Sequence, residues 1–101
     1  MKYKNLTIGD DVYTNQRDID NKLKNHKFYW VIDAELENAE LEIKHNTLIW
    51  NNGTWFHGKW EYGIFNNGEF HGTWDNGIFE KGVFKGKWIS GIDYTEKISK
   101  K

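Results

Sequence analysis

Histidines and a run of carboxylates are the groups in this chain whose type and spacing suggest chemistry. His57 and His71 fall in the same slot of a repeat, and two imidazoles held in register suit a zinc or nickel ion. Lys85 occupies the third such slot, and no cysteine or paired carboxylate completes a ligand set. Surface or structural histidines are therefore the expectation, with no metal and no cofactor. His26 and His45 are isolated and read as loop residues. Asp33, Glu35, Glu37, Glu40 and Glu42 form a run without a basic residue. Such a run can bind a cation, or present carboxylates to a basic partner such as the nucleic-acid groove of a nuclease. The plainer reading is the solvated face of a half-buried strand. His57, Lys59, His71, Lys85 and Lys87 alternate with core slots and are expected to share a face. Beside exposed rings they would suit RNA or single-stranded DNA, although Glu61, Glu69, Asp75 and Glu80 are interleaved with them.

Nucleophilic catalysis finds no support. There is no cysteine, and Ser90 and Ser99 lie outside any nucleophile-elbow context. P-loop, HExxH and dinucleotide fingerprints are missing. A pair of carboxylates could serve a glycosidase, but 101 residues of sheet leave little room for a deep cleft. The expectation is a protein that is not an enzyme.

The element that must position any functional group is a repeat with a period of 14. Its units are FHGKWEYGIFNNGE (56–69), FHGTWDNGIFEKGV (70–83) and FKGKWISG (84–91). A partial unit precedes them, in which Ile49–Gly53 matches Ile64–Gly68 with one extra residue of spacing. Repeats of this kind stack copies of one supersecondary unit. Most of the glycines close x-x-G turns such as NNG, DNG and EKG, where φ > 0 carries no Cβ cost. In F-x-G-x-W the Phe, Gly and Trp are expected to point to one face. Two architectures fit. A three-sided β-solenoid would have sides only ~15 Å long and coils ~4.8 Å thick. Two Phe and one Trp per coil then look overfilled. A twisted antiparallel meander of short hairpins avoids the crowding and is the preferred reading, with the β-solenoid as the alternative.

Upstream, residues 2–8 suit a short strand. Thr14 is the expected cap of a helix over about 15–25, with Ile19 and Leu23 on one face. Residues 27–32 read as a strand on β-propensity. Ile32, Ala34 and Leu36 then alternate, Asn38 interrupts, and Ala39, Leu41 and Ile43 resume the apolar face. Residues 44–47 are a turn. The organisation is thus 1–47, an N-terminal segment; 48–92, the repeat sheet; and 93–101, a polar tail.

Formal charge is −1, so no global field draws nucleic acid. Thirteen lysines to one arginine, with no proline, point to an A+T-rich coding sequence. Neither a secretory h-region nor a membrane span is visible, which makes the cytoplasm, of a host cell if the chain is phage-encoded, the default location, and no membrane partner is expected.

F-x-G-x-W-x-x-G resembles the opening half of a MORN repeat at Gly58, Trp60, Gly63 and at the equivalent Gly72, Trp74, Gly77 and Gly86, Trp88, Gly91. The units here are shorter and lack the later Gly-x-Gly. That likeness implies a hairpin meander that mediates protein or membrane association without catalysis. NGTW and DNGIF strings also resemble Gly/Trp repeats of uncharacterised tailed-phage proteins. NGTWF (52–56) is similar to choline- and glucan-binding repeats, whose 20-residue period this chain lacks. Residues 34–43 resemble two pentapeptide repeats.

The functional expectation is a small binding protein that acts through a protein partner. A phage or mobile-element inhibitor of a host defence system, of the anti-CRISPR kind, is its concrete form. Carbohydrate or cell-wall binding and RNA or single-stranded nucleic-acid binding are the alternatives. Trp60 and Trp74 are expected in the core. The candidate partner-binding residues are Trp55, Phe56 and Tyr62, as exposed rings, and Asp33, Glu35 and Glu37, as the acidic face. Trp55 and Phe56 are adjacent and must point to opposite faces.

Overall fold

The computed structural model describes residues 1–98. The chain opens with β1 (Tyr3–Ile8) and β2 (Asp11–Tyr13), an antiparallel pair. Helix α1 (Gln16–Asn25) follows, with Ile19 and Leu23 buried as the spacing predicts. Its cap is Asn15 rather than Thr14: the Asn15 side chain accepts from the Arg17 and Asp18 N–H groups. Asp18 in the first turn and Lys22 and Lys24 in the last suit the helix dipole.

Residues 27–32 do not form the expected strand. Lys27 takes a left-handed conformation (φ 65), and the Phe28 N–H returns to the Leu23 carbonyl. A single helical turn, α2 (Tyr29–Ile32), comes next. The physical reason lies in two neighbours. Trp30 and Val31 are both buried, and consecutive residues of an extended strand face opposite ways.

β3 (Glu35–Lys44) and β4 (Thr47–His57) form a long antiparallel hairpin. Its turn residues, His45 and Asn46, both have positive φ (52 and 59), the primed geometry that matches strand twist. β1 lies parallel to β3 on its other edge. Leu36, Ala39, Leu41 and Ile43 are buried. Asn38, at φ 52, sits where the β3–β4 register shifts, and this bulge restores the apolar face after the break.

From β4 onward the chain is mainly β and winds as a solenoid of about three turns. The short strands are β5 (Lys59–Trp60), β6 (Ile64–Phe65), β7 (Glu69–Phe70), β8 (Thr73–Trp74), β9 (Ile78–Phe79), β10 (Val83–Phe84), β11 (Lys87–Trp88) and β12 (Ile92–Asp93). Each pairs in parallel with its counterpart one coil away. Ile49 pairs with Ile64 and Ile64 with Ile78; Trp55 pairs with Phe70 and Phe70 with Phe84; Trp60 pairs with Trp74 and Trp74 with Trp88. The preferred antiparallel meander is therefore replaced by its alternative, the three-sided β-solenoid.

The crowding that favoured the meander is relieved by ring orientation. Within a coil the rings meet edge to face, as in Trp55–Trp60 (72°) and Phe70–Trp74 (82°). Between coils they stack flat, as in Trp60–Trp74 (5.0 Å, 7°) and Phe65–Phe79 (4.9 Å, 9°). The stacking distance matches the spacing of paired strands, so each coil carries one ring per side without strain on the ladder.

The nine glycines from Gly53 to Gly91 are three corners in three coils. Gly53, Gly68 and Gly82 stack in one column, Gly58, Gly72 and Gly86 in a second, and Gly63, Gly77 and Gly91 in a third. At Gly77 the backbone has φ +122, and a Cβ would lie 2.5 Å from the Gly63 carbonyl oxygen and 3.1 Å from Trp60 Nε1. Phe70 and Trp74 thus both point inward, but from two sides joined at the Gly72 corner.

The fourth coil begins and stops at once. Asp93 falls in the inward slot held by Phe79 one coil earlier. Its carboxylate accepts from Thr95 N–H (2.8 Å), Thr95 Oγ1 (2.5 Å) and Ile98 N–H (3.3 Å), which turns the chain off the coil path.

Candidate functional site

In coil 1 the step from Trp55 to Trp60 is five positions, whereas in coil 2 the step from Phe70 to Trp74 is four. This offset corrects the repeat alignment. Trp55, not Phe56, is the partner of Phe70. Trp55 is fully buried, its Nε1 donates to the Gly58 carbonyl (3.1 Å), and it is removed from the exposed rings expected to bind a partner. Phe56 points outward at 39 % exposure and stacks on His71 (6.0 Å, 21°). His57 and His71 consequently do not share a slot. His57 faces Glu35 (3.5 Å), while His71 meets Glu69 (2.8 Å). Among the described residues no three His, Cys, Asp or Glu side chains are grouped to hold a metal ion.

The basic strip is divided as well. Lys59 and Lys87 stand on the side formed by β5, β8 and β11. His71 and Lys85 follow the β7 and β10 strands of another side. Lys59 reaches Asp75 (3.8 Å) and Lys85 reaches Glu69 (4.0 Å), which neutralises much of the strip. Ion pairs also thin the acidic run. Glu37 meets the amino group of Met1 (3.1 Å), Glu40 meets Lys4 (4.0 Å), and Glu35 meets His57. Asp33 is exposed and has no cationic partner among the described residues.

Four of the six candidate residues gather where α2 joins coil 1. Asp33 and Glu35 lie just before and at the start of β3, and Glu35 pairs in register with His57, next to Phe56. Ala34 sits against the Gly58 corner. Tyr62, 44 % exposed, packs on Phe28 (6.0 Å) and Trp30 (5.8 Å). Tyr29 is half exposed on the same helical turn. Between these groups lies an open cleft of about 200 Å³, lined by Trp30, Asp33, Ala34, Gly58, Lys59 and Glu61. Glu37 lies apart, beside a shallow hollow around Met1, Asn38 and Gly53.

One surface feature escaped the sequence reading. Ile49, Ile64, Ile78 and Ile92 stand beside the inward column and form an outward row, one per coil. Its signal was available, because each isoleucine precedes an inward residue and must face the other way. The row is half-buried until Ile92, which is 50 % exposed and near the exposed Tyr94.

No family model, no curated protein and no solved structure matches the chain. Among the described residues no helix is long and apolar enough to cross a membrane.

Proposed function

We propose that this is a non-enzymatic binding protein that engages a protein partner through the α2–coil 1 junction. The observation that carries this reading is the gathering of Phe56, Tyr62, Asp33 and Glu35 at this junction, beside an open cleft that Asp33 lines and whose Trp30 wall Tyr62 touches. The inward rings of the coils are consumed by the core, so Phe56 and Tyr62 are not needed to fill it. Aromatic anchors ringed by polar groups are the usual composition of a protein contact. Divided and internally paired lysines favour protein over RNA or single-stranded DNA. An inhibitor encoded by a phage or mobile element and acting on a host defence protein remains the concrete form to test.

The test is affinity capture from a host lysate, with and without RNase, read by mass spectrometry. Phe56→Ala and Tyr62→Ala should stay folded, and at least one should lose the captured protein, by more than ~2 kcal/mol if it is a hot spot. Capture that RNase abolishes would sink the reading in favour of RNA. Capture unchanged by both variants but lost in Ile64→Lys would move the contact to the isoleucine row.

A further inference from the structure

The cleft beside α2 has a more specific chemistry than the surface around it. Its volume, about 200 Å³, lies below the usual range for a whole small-molecule site, ~300–1,000 Å³, and suits one side chain. Its charge is negative. Asp33 and Glu61 are both exposed, and neither has a cationic partner among the described residues. Lys59 also lines the cleft, but its ammonium is engaged with Asp75 on the next coil. The wall is aromatic. Trp30 is 8 % exposed, and its indole Nε1 is buried without a hydrogen-bond partner among the described residues. Trp30 is fixed by Trp60 (5.1 Å, 72°), Trp55 (6.0 Å) and Tyr62 (5.8 Å).

We infer that this cleft receives a guanidinium side chain presented by the protein partner, an inference that rests on the proposed protein-binding reading. An arginine meets both features at once. Its planar group stacks along an indole, and its fork of N–H donors pairs with carboxylates. A lysine ammonium would satisfy the charge but not the planar wall. A sugar would use the aromatic wall and leave two carboxylates uncompensated. The position of the cleft also fits a contact. Tyr62 packs on the Trp30 wall (5.8 Å), so an inserted arginine would sit beside one of the exposed rings.

The experiment uses the full chain and a small probe, N-acetyl-arginine N-methylamide. Binding is followed through the assigned Trp30 indole N–H resonance by two-dimensional NMR. The expected result is a saturable shift of that resonance. The neutral isostere, N-acetyl-citrulline N-methylamide, should bind about tenfold more weakly or worse, the loss of one charge-assisted contact. The exposed double substitution Asp33→Asn/Glu61→Gln should weaken the arginine probe to the same degree without altering the fold. The inference is overturned if the arginine probe gives no saturable shift. It is equally overturned if citrulline binds as well, if the double variant binds arginine undiminished, or if methyl glucoside shifts Trp30 and arginine does not. Failure here with capture still dependent on Phe56 or Tyr62 removes the cleft and keeps the partner. A bound arginine with capture indifferent to those rings does the reverse.

Discussion

The two ends of the solenoid are closed by different means. At the first coil β3 covers one edge of β4, which itself spans two sides of the coil, and Trp30 lies over the ends of the Trp55 and Trp60 columns. That end is sealed by packed apolar area. At the last coil the seal is one carboxylate, Asp93, with Thr95 and Ile98 folded back on it. Phe84 and Trp88 pay for this with partial exposure, whereas Trp55 and Trp60 have none. A solenoid is stabilised coil by coil through its neighbours, so its ends are its weakest units. The contrast teaches that closure is written in the departures from the repeat. One is a helical turn where the sequence reads as a strand, and the other is an acid where the repeat places a ring.

The largest expected effect tests whether the columns are continuous. Trp60→Ala removes a fully buried ring that touches Trp30, Trp50, Trp55, Phe65, Phe70 and Trp74. It should cost about 3–5 kcal/mol, enough to unfold a domain of this size. Trp88→Ala, at the thinly sealed end, should cost visibly less and leave coil 1 protected from hydrogen exchange. Equal losses in denaturant melts would mean that the two ends are not energetically distinct.

A smaller effect separates the corner glycines from ordinary turn glycines. Gly77→Val forces a β-branched residue into φ +122 and against the Gly63 carbonyl. A loss of at least about 2 kcal/mol is expected. Gly9→Ala is the control, since a Cβ there meets nothing within 4 Å and only φ +61 opposes it. Its cost should stay near ~1 kcal/mol. If the two substitutions shift the thermal midpoint alike, close approach between coils is not what selects glycine.

Next in size is the carboxylate seal. Asp93→Ala leaves two backbone N–H groups and a hydroxyl without their acceptor at the C-terminal end. About 1–2 kcal/mol should be lost, with the damage confined to coil 3 in hydrogen exchange. Exchange that rises equally at Trp55 and Trp88 would show that the seal acts on the whole solenoid.

Which parts were legible in the sequence follows from which signals are local. The phase slip at Asn38 was readable because alternation stops and restarts there, and the corner glycines because they close x-x-G turns. Helix α1 announced itself through Ile19 and Leu23, four apart. Parallel coils and antiparallel hairpins, however, place the same residues inward. They differ only in which distant strand is bonded, and local periodicity does not carry that. Ring volume alone overstates the crowding of a coil, because flat stacking fits a ring into one strand spacing. At the candidate site the outward turn of Phe56 was half legible, since Trp55 and Phe56 had to face opposite ways. The extra residue of spacing decides which one is buried: the repeat units place it before Phe56, whereas it falls in the Trp55–Trp60 step. The meeting of Asp33 with Glu61 across a cleft depends on the α2 turn, which β-propensity concealed.

The smallest effect concerns how the sheet at the sealed end is tied to α1. The Tyr3 hydroxyl donates to Asp20 Oδ1 (2.6 Å), and Tyr3 is fully buried. Burial first, and the hydrogen bond and charge of Asp20 second, push the Tyr3 hydroxyl far above its ordinary value of 10.0. In the unfolded chain the same hydroxyl ionises near that ordinary value. Above about pH 10 the unfolded state therefore binds fewer protons than the folded state, and stability falls as pH rises. Below that point the contribution of Tyr3 is fully present. Tyr3→Phe should cost about 1 kcal/mol at neutral pH through the lost hydrogen bond. The gap between wild type and variant should then narrow as pH climbs beyond about 10, because only the wild type has this proton to lose. Urea melts of both proteins from pH 7 to 11 measure the gap directly, and lysine titration, common to both, cancels in the difference. A gap that stays constant or widens over that range would mean that Tyr3 is not held in its protonated form by the fold, and that the tie to Asp20 contributes nothing to the sealed end.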